Sequence, residues 1–180
     1  MVSQLHRELL GAYCLAREPA VAQGLRDIGV APPAWPLWGI GAVSAGPRHY
    51  QPDPDGTCAL IAGAYEDGAL VDLVATSVTS LAMRCRRGDA RLLGFDIIER
   101  ARDHDCPLIV FDNACAWARH RGLGVVIVDW NRGPELLRDV PRLLCKSPAT
   151  ALRLKRAFER PRPYPEILVP QQSKESRHVA

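Results

Sequence analysis

The sequence predicts a mixed α/β domain, an antiparallel β-meander followed by β-α units forming a mixed sheet, behind an N-terminal helical segment. Three observations predict it. The run TCALIAGAYEDGALVDLVATSV places two β-compatible stretches on either side of Asp67-Gly68, a dipeptide suited to the positive φ angles of a tight hairpin. The runs at 107–111 and 125–128 are apolar without alternation, as in strands covered on both faces. Each of these two gives way to a helix-like stretch, and that alternation marks β-α units.

Taken in order, Leu5, Leu9 and Tyr13 recur at helical spacing behind Ser3, a candidate N-cap, and a second short helix is expected over 19–28 before Gly29. Residues 1–30 therefore read as a helical segment. In 31–37 the prolines Pro32, Pro33 and Pro36 remove backbone donors and fix φ, so this stretch reads as a linker or a packed arm. Strands follow at 38–44 and 48–51, joined by an Ala45-Gly46-Pro47 turn, and then the Asp-Gly hairpin. Beyond Gly88 the spacing of Leu92, Leu93, Ile97, Ile98 and Ala101 suggests one helix face. Helices are expected at 113–121, closed by Gly122, and at 134–138, opened by Pro134. A short apolar piece at 142–145 leads to Ser147-Pro148, a helix start, with Ala151, Leu154 and Phe158 facing one way. An edge strand at 166–169 and a loose tail over 171–180 complete the expectation, with 38–170 as a single domain.

Composition narrows the function classes. A chain of 180 residues with 47% hydrophobic content has enough material for one substantial core. His6, Arg7 and Glu8 interrupt the place where a secretory signal needs an apolar run, and no stretch approaches the ~18 apolar residues of a spanning helix. The six cysteines are scattered without a C-x-x-C pair, which fits reduced thiols and a cytoplasmic setting. The formal net charge of +3 is modest, but its distribution is uneven. Between Arg142 and Arg162 stand seven basic residues (Arg142, Lys146, Arg153, Lys155, Arg156, Arg160, Arg162) against the single acid Glu159.

That basic helix is the first functional cue. Lys146, Arg153, Lys155, Arg156 and Arg160 are a candidate surface for the phosphates of DNA or RNA, extended by Arg84, Arg86 and Arg87; a solvated helix face is the competing reading. Stacking aromatics are sparse, with Tyr164 the evident exposed one, so sequence-specific recognition is not expected. The second cue is Asp112 and Asp129, each closing an apolar run. If their strands are neighbours, they are candidate Mg²⁺ or Mn²⁺ ligands for a phosphoesterase or nuclease, with Glu66 and Asp72 the further acids available; the favoured competing reading is that each caps the helix that follows. Outside that alternative no cofactor is implied.

His104, Cys106, Cys115 and His120 are zinc-ligand types, but Cys106 and Cys115 flank a strand, about 16 Å apart at ~3.3 Å per residue. No G-x-S-x-G, P-loop or G-x-G-x-x-G is present. The four tryptophans Trp35, Trp38, Trp117 and Trp130 supply either core or a partner surface, which leaves a protein-protein interaction module or self-association as a third class.

The element order resembles ribonuclease-H-like folds and, more loosely, toprim domains. The first family's acid in mid-strand has no counterpart in WGIGAVS, and the second family's D-x-D stands here as Asp129-Trp130-Asn131. The stretches YEDGALVDLVA, CPLIVFDNACAWAR and GVVIVDWNRG are similar to a group of uncharacterised bacterial and prophage proteins over residues 38–170. That similarity implies a mobile-element setting and no particular activity.

Overall fold

In the computed structural model, which describes residues 3–104 and 106–159, the Ser3 hydroxyl accepts the His6 amide at 3.3 Å and so starts α1 (Gln4–Ala16). Helix α2 (Pro19–Asp27) opens with proline in its first turn, where the missing N–H has no helical partner to lose. The arm at 31–37 is packed: Tyr13 donates its hydroxyl to the Ala34 carbonyl at 3.2 Å, and Arg17 donates to Pro33 at 3.1 Å.

The meander comprises β1 (Trp38–Ala45), β2 (Tyr50–Pro52), β3 (Thr57–Glu66), β4 (Ala69–Ser77) and β5 (Met83–Cys85), paired antiparallel in the order β2-β1-β3-β4-β5. Its central hairpin turns where predicted, with φ of 49° at Asp67 and 76° at Gly68. One face packs on α1, with Leu5 and Leu9 against Val43, Ile61, Leu73 and Ala75. Close approach there depends on Gly39, where a Cβ would fall 2.1 Å from the Ala12 carbonyl carbon.

The β-α units form a second sheet of β6 (Leu92–Leu93), β7 (Leu108–Phe111), β8 (Val125–Ile127) and β9 (Leu143–Cys145), in the order β6-β8-β7-β9. Strand β7 runs parallel to both neighbours, while β6 is antiparallel to β8, so this sheet is mixed. Meander and β-α units thus each own a sheet, and the two sheets face one another. Leu93, Phe111 and Val126 share a core with Trp38, Leu60 and Val74 of the meander. Leu92, Val110, Val125 and Ile127 point the other way, into a core with Ile98, Leu137 and Leu154. Apolar side chains on both faces explain why these strands lack alternation in the sequence.

One expectation needs correction. Leu92 and Leu93 belong to no helix; they form β6, and Gly94 at φ 76° separates them from α3 (Asp96–Asp103). Their side chains enter opposite cores, a two-residue period that a pair of leucines cannot distinguish from a helix start.

The crossover from β7 to β8 carries α4 (Ala114–Arg119), packed on the meander side through Ala114 and Trp117. The return from β8 to β9 carries a 3-10 helix (Gly133–Leu137) packed on the opposite side. Because β8 and β9 flank β7 and their crossovers lie on opposite faces, the strand order reverses between β7 and β9. Helix α5 (Pro148–Phe158) starts at the end of β9, capped by Ser147, whose hydroxyl accepts the Thr150 amide at 3.2 Å. Thr150 and Leu154 are its buried residues, while Ala151 is exposed. The expected edge strand at 166–169, the tail, and Arg160, Arg162 and Tyr164 lie outside the described residues. Among the described residues no helix is long and apolar enough to cross a membrane.

Candidate functional site

Asp112 and Asp129 do follow neighbouring parallel strands, since Phe111 is paired with Val126. The two carboxylates nevertheless have separate occupations. The cap of α4 is Asn113, which accepts the Ala116 amide at 2.9 Å, so Asp112 does not cap the helix that follows it. Instead Asp112 Oδ1 reaches across the point of strand reversal and accepts the Ser147 hydroxyl at 2.6 Å together with the Thr150 hydroxyl. A carboxylate at the first turn of α5 is favoured by the helix dipole and by these two donors.

Asp129 Oδ1 accepts the Asn131 amide at 2.8 Å and Oδ2 accepts Arg132 Nε at 2.5 Å. Burial pushes its carboxyl upward, but the Arg132 hydrogen bond, the Asn131 amide and the guanidinium charge outweigh that and hold it below the ordinary aspartate value. Arg132 also donates to the Gly88 carbonyl at 2.9 Å, tying the loop after β8 to the loop after β5.

The other acids are equally engaged. Asp72 is fully buried, and its carboxylate accepts five backbone amides, those of Leu73, Arg87, Gly88, Asp89 and Ala90, at 2.7–3.2 Å. Glu66 takes Nε and a terminal nitrogen of Arg91 in a two-pronged pair. Among the described residues no group of three or more histidine, cysteine, aspartate or glutamate side chains is gathered to hold a metal ion. The zinc-ligand types are dispersed too: the His120 ring stacks on Phe111 with centroids 4.9 Å apart, Cys115 is buried, and Cys106 lies exposed at the far end of β7.

The basic residues are arranged differently. Four arginines of the fold face carboxylates: Arg86 with Glu8 at 3.1 Å, Arg132 with Asp129 at 2.5 Å, Arg138 with Glu135 at 2.5 Å, and Arg91 with Glu66. Lys146, Arg153, Lys155 and Arg156 are all exposed, and among the described residues none of them has an acidic partner. At ~3.6 residues per turn, Arg156 lies between Arg153 and Lys155, so the three cations fan over the outer surface of α5 instead of forming one row. Arg84 and Arg86 do not join them, because Arg84 donates to the Gly46 and Met83 carbonyls and Arg86 to Glu8 and Gln51.

Arg153 has one further contact, its guanidinium carbon lying 4.0 Å from the Trp130 ring centroid. Trp130 in turn lines a cleft of about 690 Å³, which opens beside α5 at the carboxyl end of β8. Glu66, Asp89, Arg91, Asn131 and Ala157 line it with Trp130. Sequence reasoning did not find this cleft, because its walls come from a hairpin tip, two loops and the last turn of α5. The Arg153–Trp130 contact spans 23 positions with no local pattern to reveal it. Ser147 did carry a legible signal, as the cap before a proline.

No family model matches the chain, and no curated protein or solved structure matches it either.

Proposed function

We propose that this chain is a nucleic-acid-associated accessory protein that binds the phosphate backbone through Lys146, Arg153, Lys155 and Arg156. The observation that carries this reading is the clustering of exposed cations: Lys146, Arg153, Lys155 and Arg156 stand on α5 or just before it, and none of the four meets a carboxylate among the described residues. Cations on α5 and at its start that hold no carboxylate are free to displace condensed counterions from a phosphate chain, which is the main source of nonspecific affinity. Arg153 adds an aromatic neighbour in Trp130, the combination that single-strand binders use. The metal-dependent alternative receives no comparable support, since Asp112 and Asp129 are bound to different partners.

The test is a salt titration with mixed-sequence DNA and RNA. Four phosphate contacts correspond to a slope near −3.6 on a double-logarithmic plot, or roughly a hundredfold weaker binding between about 50 and about 200 mM salt. An Arg153/Lys155/Arg156 triple alanine variant should lower the slope by about three and remove most of the affinity. Wild-type binding by that variant, with its fold intact, overturns the proposal.

A further inference from the structure

The cleft beside α5 is too large and too specifically lined to be packing slack. Its volume of about 690 Å³ lies well within the range of small-ligand sites, roughly 300–1,000 Å³. Its charged walls are mostly self-neutralised: Glu66 binds Arg91, Glu135 binds Arg138, and Arg132 binds Asp129 just behind the lining. Asp89 is different. It is exposed, its backbone amide is held by Asp72, and its own carboxylate makes no hydrogen bond or ion pair among the described residues. Asn131 likewise has its amide N–H on Asp129, while its side-chain amide has no partner among the described residues. With Trp130 these groups give the cleft an aromatic wall, an unneutralised acceptor and a bifunctional amide.

An unneutralised carboxylate repels phosphate, so the backbone itself does not belong in this cleft. A group that suits it is planar, stacks, and offers adjacent N–H donors. Guanine does all three: its N1–H and N2 amino group point the same way, as the two prongs of an arginine do, and a carboxylate accepts both. In a duplex that edge is already paired with cytosine. Only an unpaired guanine can present it.

We infer that the cleft accepts an unpaired guanine base from a single strand whose phosphates run along the α5 cations. This rests on the backbone-binding reading and adds a selectivity to it. Arg153 joins the two parts, since it belongs to the cationic fan and also lies against the Trp130 ring. Asp89→Asn is the discriminating variant: Asp89 is exposed, its backbone amide still meets Asp72, and it stands outside the cationic set.

The experiment uses the full chain at about 50 mM salt with three probes of equal length: a single strand of alternating thymine and guanine, an all-thymine single strand, and the first strand annealed to its complement. The expected result is that wild type prefers the guanine-containing strand to the all-thymine strand by about tenfold. Asp89→Asn should lose that preference and bind the all-thymine strand and the duplex as wild type does. Equal affinity of wild type for both single strands, or a guanine preference that survives Asp89→Asn, overturns the base site while leaving the backbone reading standing. Failure to bind any of the three probes overturns both.

Discussion

The Thr150 hydroxyl donates to Asp112, joining the end of β7 to the first turn of α5 across the point where the strand order reverses. With the Ser147 hydroxyl on the same oxygen at 2.6 Å, this junction does structurally what a bound ligand does in other α/β sheets, filling the crevice at the strand ends. Thr150→Val keeps the shape of the side chain and removes one donor from a charged acceptor. It should cost about 2 kcal/mol of stability, read as a shift in denaturant midpoint. Saturating Mg²⁺ should leave the wild-type midpoint unchanged, because a ligand that binds only the folded state would raise it.

Asp129 should shape the acid limb of stability. Its carboxyl titrates below the ordinary value of 3.8 in the folded chain, so the unfolded chain binds the proton first as pH falls. The contribution is therefore fully present above about pH 4 and disappears as pH drops through the folded value. Comparing wild type with Asp129→Asn across that window should show a stability difference at neutral pH that closes in acid. A gap that stays constant would assign the Arg132 pair no role.

Gly39 is the position where the helical segment and the meander meet most closely. A Cβ there would overlap the Ala12 backbone at 2.1 Å, with no flexible side chain available to yield. Gly39→Ala should cost about 3 kcal/mol and push α1 off β1. Gly68→Ala gives a contrasting control: a Cβ there meets nothing within 4 Å, and only the φ of 76° opposes it.

The cysteines should react in an order set by burial. Burial, then the Asp72 and Asp129 charges, push the Cys85 thiol up to about 11, and burial also raises Cys115. Cys14 and Cys106 are exposed. Alkylation at about pH 8, followed by peptide mass spectrometry, should label Cys14 and Cys106 first and reach Cys85 and Cys115 only when the chain unfolds.

Local chemistry carried most of what the sequence revealed. The Asp67-Gly68 turn, the Ser3 and Ser147 caps and the unalternated strands at 107–111 and 125–128 each follow from a few adjacent residues, and each stands in the structure. Where two local signals competed, the stronger one hid the other. Asp112 looked like the cap of α4, yet Asn113 has the extended backbone that a cap requires and Asp112 was left to reach Thr150, 38 residues away. The cleft was illegible because its walls meet only after both sheets are assembled. Asp72 was legible as an acid but not as a buried one, since its ligands are backbone amides and any sequence supplies those.

The Asp72 carboxylate has a consequence for how the molecule breathes. Residues 86–91 carry the chain from the meander to the second sheet, and irregular surface backbone of this kind ordinarily trades its amide hydrogens with water quickly. Here the amides of Arg87, Gly88, Asp89 and Ala90 end on one buried side chain anchored in β4. Deuterium should enter this connector as slowly as it enters the strands, and the two sheets should open together as one cooperative unit, with the bridge between them no weaker than what it joins.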